Sequence, residues 1–236
     1  MIRLRILFDN IPGPMGCCSL WGFSVAVESP EGVWLFDTGS NGRILLKNAE
    51  RMGVDLSRIH SLVISHPHWD HVGGLDSVLE IAPHVQIYLP RTLSGYWRRD
   101  LERMSGGVRV VGEDPVELFD GVQSTGIMAQ IGEQAVLIPS SGGGILLTGC
   151  AHAGILEIVR RAYEMSGEVP GLVVGGFHLI ESSEEEIRET IKGLKALGVE
   201  SVCPTHCSGL KAIDMFCEAF GEKCLDGGVG SLLERG

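Results

Sequence analysis

The chain has 236 residues, of which 44% are apolar, and a formal net charge of −11. That length suits one α/β domain with a substantial buried core. The negative charge argues against a nucleic-acid backbone as the main partner, and the absence of an apolar run of about 18 residues argues against a membrane span.

In chain order, residues 2–8 alternate apolar and basic, Ile2-Arg3-Leu4-Arg5-Ile6, and predict a strand. They lack the apolar core and cleavage site of a signal peptide, so the expected location is the cytoplasm. Segments 23–28 and 33–37 read as a hairpin whose second strand runs into Asp37-Thr38-Gly39. A helix is expected over 41–52.

The strand expected at 61–65 delivers the densest chemistry of the chain, Ser65-His66-Pro67-His68-Trp69-Asp70-His71. Imidazole and carboxylate suit zinc, and also iron or manganese. His66 and His68 are two positions apart, so they leave an extended chain on the same side and can hold one metal together. Asp70 and His71 lie past the turn and can reach a second. Pro67 stiffens the loop, Trp69 packs or lines the cleft, and Gly73-Gly74 allows tight backbone.

A helix over 74–82 and a strand over 85–88 come next. Residues 91–105 are polar and basic, with Tyr96-Trp97-Arg98-Arg99. They read first as a solvated helix, and alternatively as a lid whose Arg98 and Arg99 meet an anionic substrate. Strands are expected at 108–111, 116–119, 125–130, 134–138 and 144–148, then a helix at 154–166 and a strand at 171–175. Ser182 or Ser183 can cap the next helix, with Glu185 and Glu186 closing a capping box. Ile187, Ile191, Leu194 and Leu197 form its apolar stripe. A strand at 199–203, a helix at 208–220 and a glycine-rich tail ending in a short strand complete the series. No repeat or linker interrupts it, so residues 1–236 are expected to form a single domain.

Three later strand ends carry further candidate ligands: Thr148-Gly149-Cys150-Ala151-His152, Gly175-Gly176-Phe177-His178 and Pro204-Thr205-His206-Cys207. Together with the cluster at 66–71, these motifs resemble the metallo-β-lactamase fold superfamily. Within it they look like the branch of dihydropteroate-synthase-like or ribofuranosylaminobenzene-5'-phosphate-synthase-like metal-dependent hydrolases. The resemblance implies an α/β fold, the αββα sandwich of two mixed β-sheets with helices on the outer faces. It implies one or two divalent metal ions, zinc first, with iron or manganese as alternatives.

The implied reaction is attack of a metal-bound hydroxide on a small-molecule phosphoester, cyclic phosphodiester, lactone or thioester. Asp70 would bind the second metal while orienting the hydroxide or carrying a proton. Histidine-bound metals make a cleft locally positive, which allows an anionic substrate.

The chain departs from the superfamily in one place. Most members have a lone histidine upstream of a Gly-Asp motif whose aspartate bridges the metals. Here there is no histidine between His84 and His152, the matching strand end reads Gly149-Cys150, and upstream stand only Glu133-Gln134. Cys150 is a candidate ligand, because one β-lactamase subclass has Gly-Cys there. His152 is the stronger candidate, since imidazole binds metal without a pKa shift. His206 resembles the last metal motif. His178 is either a ligand or a substrate-side acid or base. Asp37 is read as bracing the loop, and His60 and His84 as surface or structural residues.

The seven cysteines are an odd number and suggest no disulfide framework. Cys203 and Cys217 are expected in the core, and Cys17-Cys18 in a structural loop. Cys203 and Cys207 bracket His206, but without a second pair at knuckle spacing they do not predict a separate zinc site. No G-x-S-x-G element and no phosphate loop with lysine occurs. Two readings stand beside hydrolysis: a synthase or transferase in pterin or methanopterin-type cofactor metabolism, and a non-catalytic metal-binding protein. The intact cluster with Asp70 argues against the latter.

Overall fold

Leu4 and Ile6 are fully buried while Arg3 faces solvent, as the N-terminal alternation requires. A computed structural model describes residues 1–236 and resolves two compact units, Met1–Gly112 with Gly228–Gly236, and Glu113–Gly227.

The first unit contains β1 (Ile2–Phe8), β2 (Ser24–Ser29), β3 (Gly32–Phe36), α1 (Gly42–Arg51), β4 (Ser61–Val63), α2 (Trp69–Val72), α3 (Leu75–Ile81), β5 (Gln86–Pro90), α4 (Gly95–Met104) and β6 (Gly107–Val111). The second contains β7 (Val116–Phe119), β8 (Val122–Ser124), β9 (Val136–Ile138), β10 (Ile145–Thr148), α5 (Ile155–Ser166), β11 (Leu172–Gly176), α6 (Glu184–Leu197), β12 (Ser201–Thr205) and α7 (Leu210–Phe220). The C-terminal β13 (Leu232–Arg235) returns to the first unit.

The first sheet has seven strands in the order β13-β1-β2-β3-β4-β5-β6. It is antiparallel as far as β3 and parallel from β3 to β6. Parallel neighbours need crossovers, which α1, α3 and α4 supply. Leu45 and Ala49 of α1 and Leu75, Val78 and Leu79 of α3 join Leu35, Leu62 and Ile87 in one buried cluster. The strand expected to reach residue 65 stops at Val63, because the Ser65 N–H donates to the Asp37 carboxylate (2.7 Å) rather than to a strand.

The second sheet has six strands in the order β12-β11-β10-β9-β8-β7. β10, β11 and β12 are parallel, and the rest pair antiparallel. Ile158 of α5, Ile187 and Leu194 of α6 and Phe216 of α7 pack with Leu146, Val173 and Val202. The strand expected at 125–130 does not form. Gly126, Ala129 and Gly132 all adopt positive φ (70°, 58° and 72°) and turn the chain. Met128 and Glu133 close the turn with two backbone hydrogen bonds, 2.7 and 3.0 Å. No helix is long and apolar enough to cross a membrane.

Candidate metal centre

Both units place their histidine-bearing motifs just beyond the C-terminal ends of parallel strands. In the first unit, Asp37 follows β3 and Ser65-His66 follows β4. Asp37 is fully buried, with φ of 55°. Its Oδ1 accepts the Ser65 N–H (2.7 Å), and its Oδ2 accepts the Ser65 hydroxyl (2.6 Å) and lies 2.7 Å from His71 Nδ1.

These contacts fix the tautomers. The Ser65 proton is committed to Asp37, so His66 Nδ1, 2.8 Å from Ser65 Oγ, must donate to it. His71 Nδ1 donates to Asp37 in the same way. In each neutral ring Nε2 is then the acceptor nitrogen. His66 Nε2 lies 3.0 Å from His68 Nδ1, and His71 Nε2 lies 3.7 Å from Asp70 Oδ2. The His66 ring centroid is 4.6 Å from that of His68 and 4.1 Å from that of His71. The backbone is pinned as well: Thr38 N–H donates to His71 O (2.7 Å), and Phe23 N–H to Asp70 O (3.2 Å).

In the second unit the register aligns Thr148 with Gly175, and Gly176 with Thr205. Cys150, His178 and His206 therefore emerge side by side from β10, β11 and β12. The ligand atoms of Cys150, His152 and His178 lie within 4.8 Å of one another, as do those of Cys150, His206 and Cys207. The His152 and His178 ring centroids are 4.4 Å apart. A side chain at Gly176 would meet Cys207 Sγ at 2.5 Å and Gly149 O at 2.6 Å, so only glycine lets these loops approach.

Ala151, His178 and His206 have φ of 60°, 54° and 48°. With Asp37 they make up four of the six non-glycine residues in this strained region, and such strain clusters at functional sites.

Glu133 anchors this set. Its carboxylate is 2% exposed and accepts three backbone N–H groups, from Cys150 (2.6 Å), Ala151 (3.0 Å) and His152 (2.6 Å). A hydrogen bond with Cys207 raises the His178 pKa against the lowering effect of burial. Burial pushes the Cys207 thiol up, but hydrogen bonds with Cys150 and His178 and the charge of His206 outweigh it. The net effect holds the thiol well below its ordinary range.

The structure thus brings His66, His68, Asp70 and His71 together in one unit, and Cys150, His152, His178 and His206 in the other. Trp69, on α2, is 63% exposed. Arg98 and Arg99 lie on α4, which forms as a helix, with Arg98 half-buried and the Arg99 guanidinium 5.4 Å from the Tyr96 ring centroid. Ser65, Glu133 and Cys207 had not been assigned site roles from the sequence. The hydroxyl next to the first histidine was a visible signal for Ser65. Glu133 gave none, because its partners are backbone groups 17 to 19 positions away.

The donor set fits a divalent metal. The imidazoles of His66 and His71 are oriented from behind by a hydroxyl and a buried carboxylate, which makes Nε2 the ligating nitrogen of each, and the Asp70 carboxylate lies alongside.

Comparison with known proteins agrees with this chemistry. Residues 22–206 match the family model described as the metallo-beta-lactamase superfamily. The chain is 31% identical to 7,8-dihydropterin-6-methyl-4-(beta-D-ribofuranosyl)-aminobenzene-5'-phosphate synthase of Methanocaldococcus jannaschii, across 80% of this chain and 79% of that one. It is similar to the crystal structure of Tm1679, a metal-dependent hydrolase of the beta-lactamase superfamily, with a TM-score of 0.82, 31% identity and 99% of both chains covered. Human tRNase Z, short form, has a TM-score of 0.62 at 16% identity over 99% of both chains, a likeness of fold alone.

Proposed function

The chain belongs to the metallo-β-lactamase superfamily, and from that premise we propose that it is a metal-dependent hydrolase of a small-molecule phosphoester, cyclic phosphodiester, lactone or thioester. One observation carries the reading: the hydrogen-bond chain through Asp37 and Ser65 that engages Nδ1 of both His66 and His71 and so makes Nε2 the metal-binding nitrogen of each. His66, His68, Asp70 and His71 are assigned as ligands, with His152, His206 and Cys150 as the further candidates. Zinc is the first choice, with iron and manganese next.

A divalent ion held by these residues would supply Lewis acidity to a water and would steady developing negative charge. The Asp70 carboxylate would orient the attacking water or carry its proton at an Oδ. His178, exposed at the end of β11, is the candidate donor to the leaving group. Trp69 offers a flat exposed face, and Arg98 and Arg99 offer guanidinium groups to an anionic substrate. A small molecule, rather than a nucleic acid or a membrane, is the proposed partner, in line with the net charge of −11.

The 31% identity to the archaeal synthase favours a second reading, a synthase of pterin-type cofactor metabolism using the same ligands. Purified protein reconstituted separately with zinc, iron(II) and manganese should retain one or two equivalents of at least one of them after dialysis. Folded protein that stays metal-free with all three would contradict the assignment. Assays on phosphodiester, lactone and thioester substrates beside a phosphorylated pterin precursor separate the two readings. Turnover confined to the pterin-type substrate supports the second.

A further inference from the structure

We propose that Cys217 and Cys224 form a reversible intramolecular disulfide, a covalent site apart from the metal chemistry. Their Sγ atoms are in hydrogen-bond contact at 2.7 Å, and both residues are half-buried, within reach of a small reagent. Cys217 was expected in the core, but it lies at the partly exposed end of α7.

The backbone holds both thiols in place. The Cys217 carbonyl accepts the Gly221 N–H that closes α7. The Cys224 N–H donates to Gly221 O (2.9 Å), and the Leu225 N–H donates to Val202 O (2.8 Å). An isolated parallel bridge joins Cys224 to Val202 on β12. Because the pair is already ordered by this frame, closing it costs little further conformational entropy. The bond would tie the end of α7 to β12, the strand that runs into His206.

Burial and the hydrogen bond with Cys217 push the Cys224 thiol well above its ordinary range. Cys217 is therefore the attacking sulfur, since the thiolate is the nucleophile. With a small disulfide such as oxidised glutathione, the Cys217 thiolate attacks one sulfur, the glutathione S–S bond breaks and one glutathione thiolate leaves. The Cys224 thiol then gives up its proton and attacks the Cys217 sulfur, expelling the second glutathione. Two protein thiols are oxidised, one glutathione disulfide is reduced, and the two thiol protons end on the two glutathione molecules.

Trypsin cuts after Lys211, Lys223 and Arg235, which puts the two cysteines on separate peptides, 212–223 and 224–235. Full-length protein is equilibrated in glutathione buffers of increasing oxidised fraction, alkylated, digested and analysed by mass spectrometry. The wild type should yield the two peptides as one linked species that dithiothreitol separates, with a mass about 2 Da below that of the two reduced peptides. Cys224→Ser should trap glutathione on Cys217, because the resolving thiol is gone. Wild-type peptides that stay separate in the most oxidising buffer, whether alkylated or each carrying its own glutathione, would overturn the proposal.

Discussion

Asp37 receives hydrogen bonds from the Ser65 N–H, the Ser65 hydroxyl and the His71 ring, all within 2.7 Å. None of these contacts is with a metal, yet together they decide which nitrogen each of two histidines presents. Asn at this position keeps the shape but loses the charge and one acceptor oxygen, so the His71 proton can shift to Nε2. Asp37→Asn should weaken metal binding by about 10–100-fold, the usual loss when the partner of a ligating histidine is removed. Competition with a chromogenic chelator measures this, and unchanged affinity would show that the tautomers are set elsewhere. Glu133 acts on backbone instead of rings. Its replacement by Ala strands three buried N–H groups at about 1–3 kcal/mol each, so Glu133→Ala should lower stability by about 3 kcal/mol or more. Urea unfolding should register this as a lower midpoint, and a wild-type midpoint would mean that water replaces the carboxylate. Asp37 was legible from its place in the Asp-Thr-Gly after a strand. Glu133 was not, because sequence shows side chains and its partners are amides.

Helix α6 was among the most legible elements, because its start and its buried face both leave side-chain signals. Ser183 accepts the Glu186 N–H, and the Glu186 carboxylate accepts the Ser183 N–H and hydroxyl. Ile187, Ile191 and Leu194 are buried as the stripe requires, while Leu197 is only half-buried. Hydrogen bonds from the Ser183 backbone and hydroxyl hold the Glu186 carboxyl below its ordinary pKa. Its folded-state pKa is thus lower than the unfolded value of about 4.3. The box's contribution is present above that value and is lost as pH falls through the folded pKa. Ser183→Ala should therefore lower the unfolding midpoint near neutrality, and the gap to wild type should shrink at pH 3. A gap of the same size at both pH values would mean that the carboxylate takes no part. One element misread was 125–130, where a strand was expected but three residues at positive φ turn the chain, and the strand β8 forms just before it at Val122–Ser124. Gly126 and Gly132 were visible punctuation. The left-handed Ala129 (φ 58°) was not foreseeable, because alanine has no preference for that region.

Across the whole molecule, each sheet is parallel over the strands whose C-terminal ends carry the site motifs, β3 and β4 in one unit and β10, β11 and β12 in the other. Short apolar runs ending in Asp, His or Cys made those strand ends legible, and hence the family. The sheets' strand order was not, because pairing such as β13 with β1 joins residues at opposite ends of the chain. The central claim is that the cluster at 66–71 holds the metal and drives hydrolysis, with Asp70 handling the water. It is tested most directly by finding one hydrolysable substrate in a phosphodiester and lactone panel and comparing Asp70→Asn with wild type at matched metal loading. The rate should fall by about 10²–10⁴-fold, the scale for a positioned acid–base group, with the fold intact. Equal rates in the two proteins would place the activity elsewhere and leave this cluster a metal-binding scaffold.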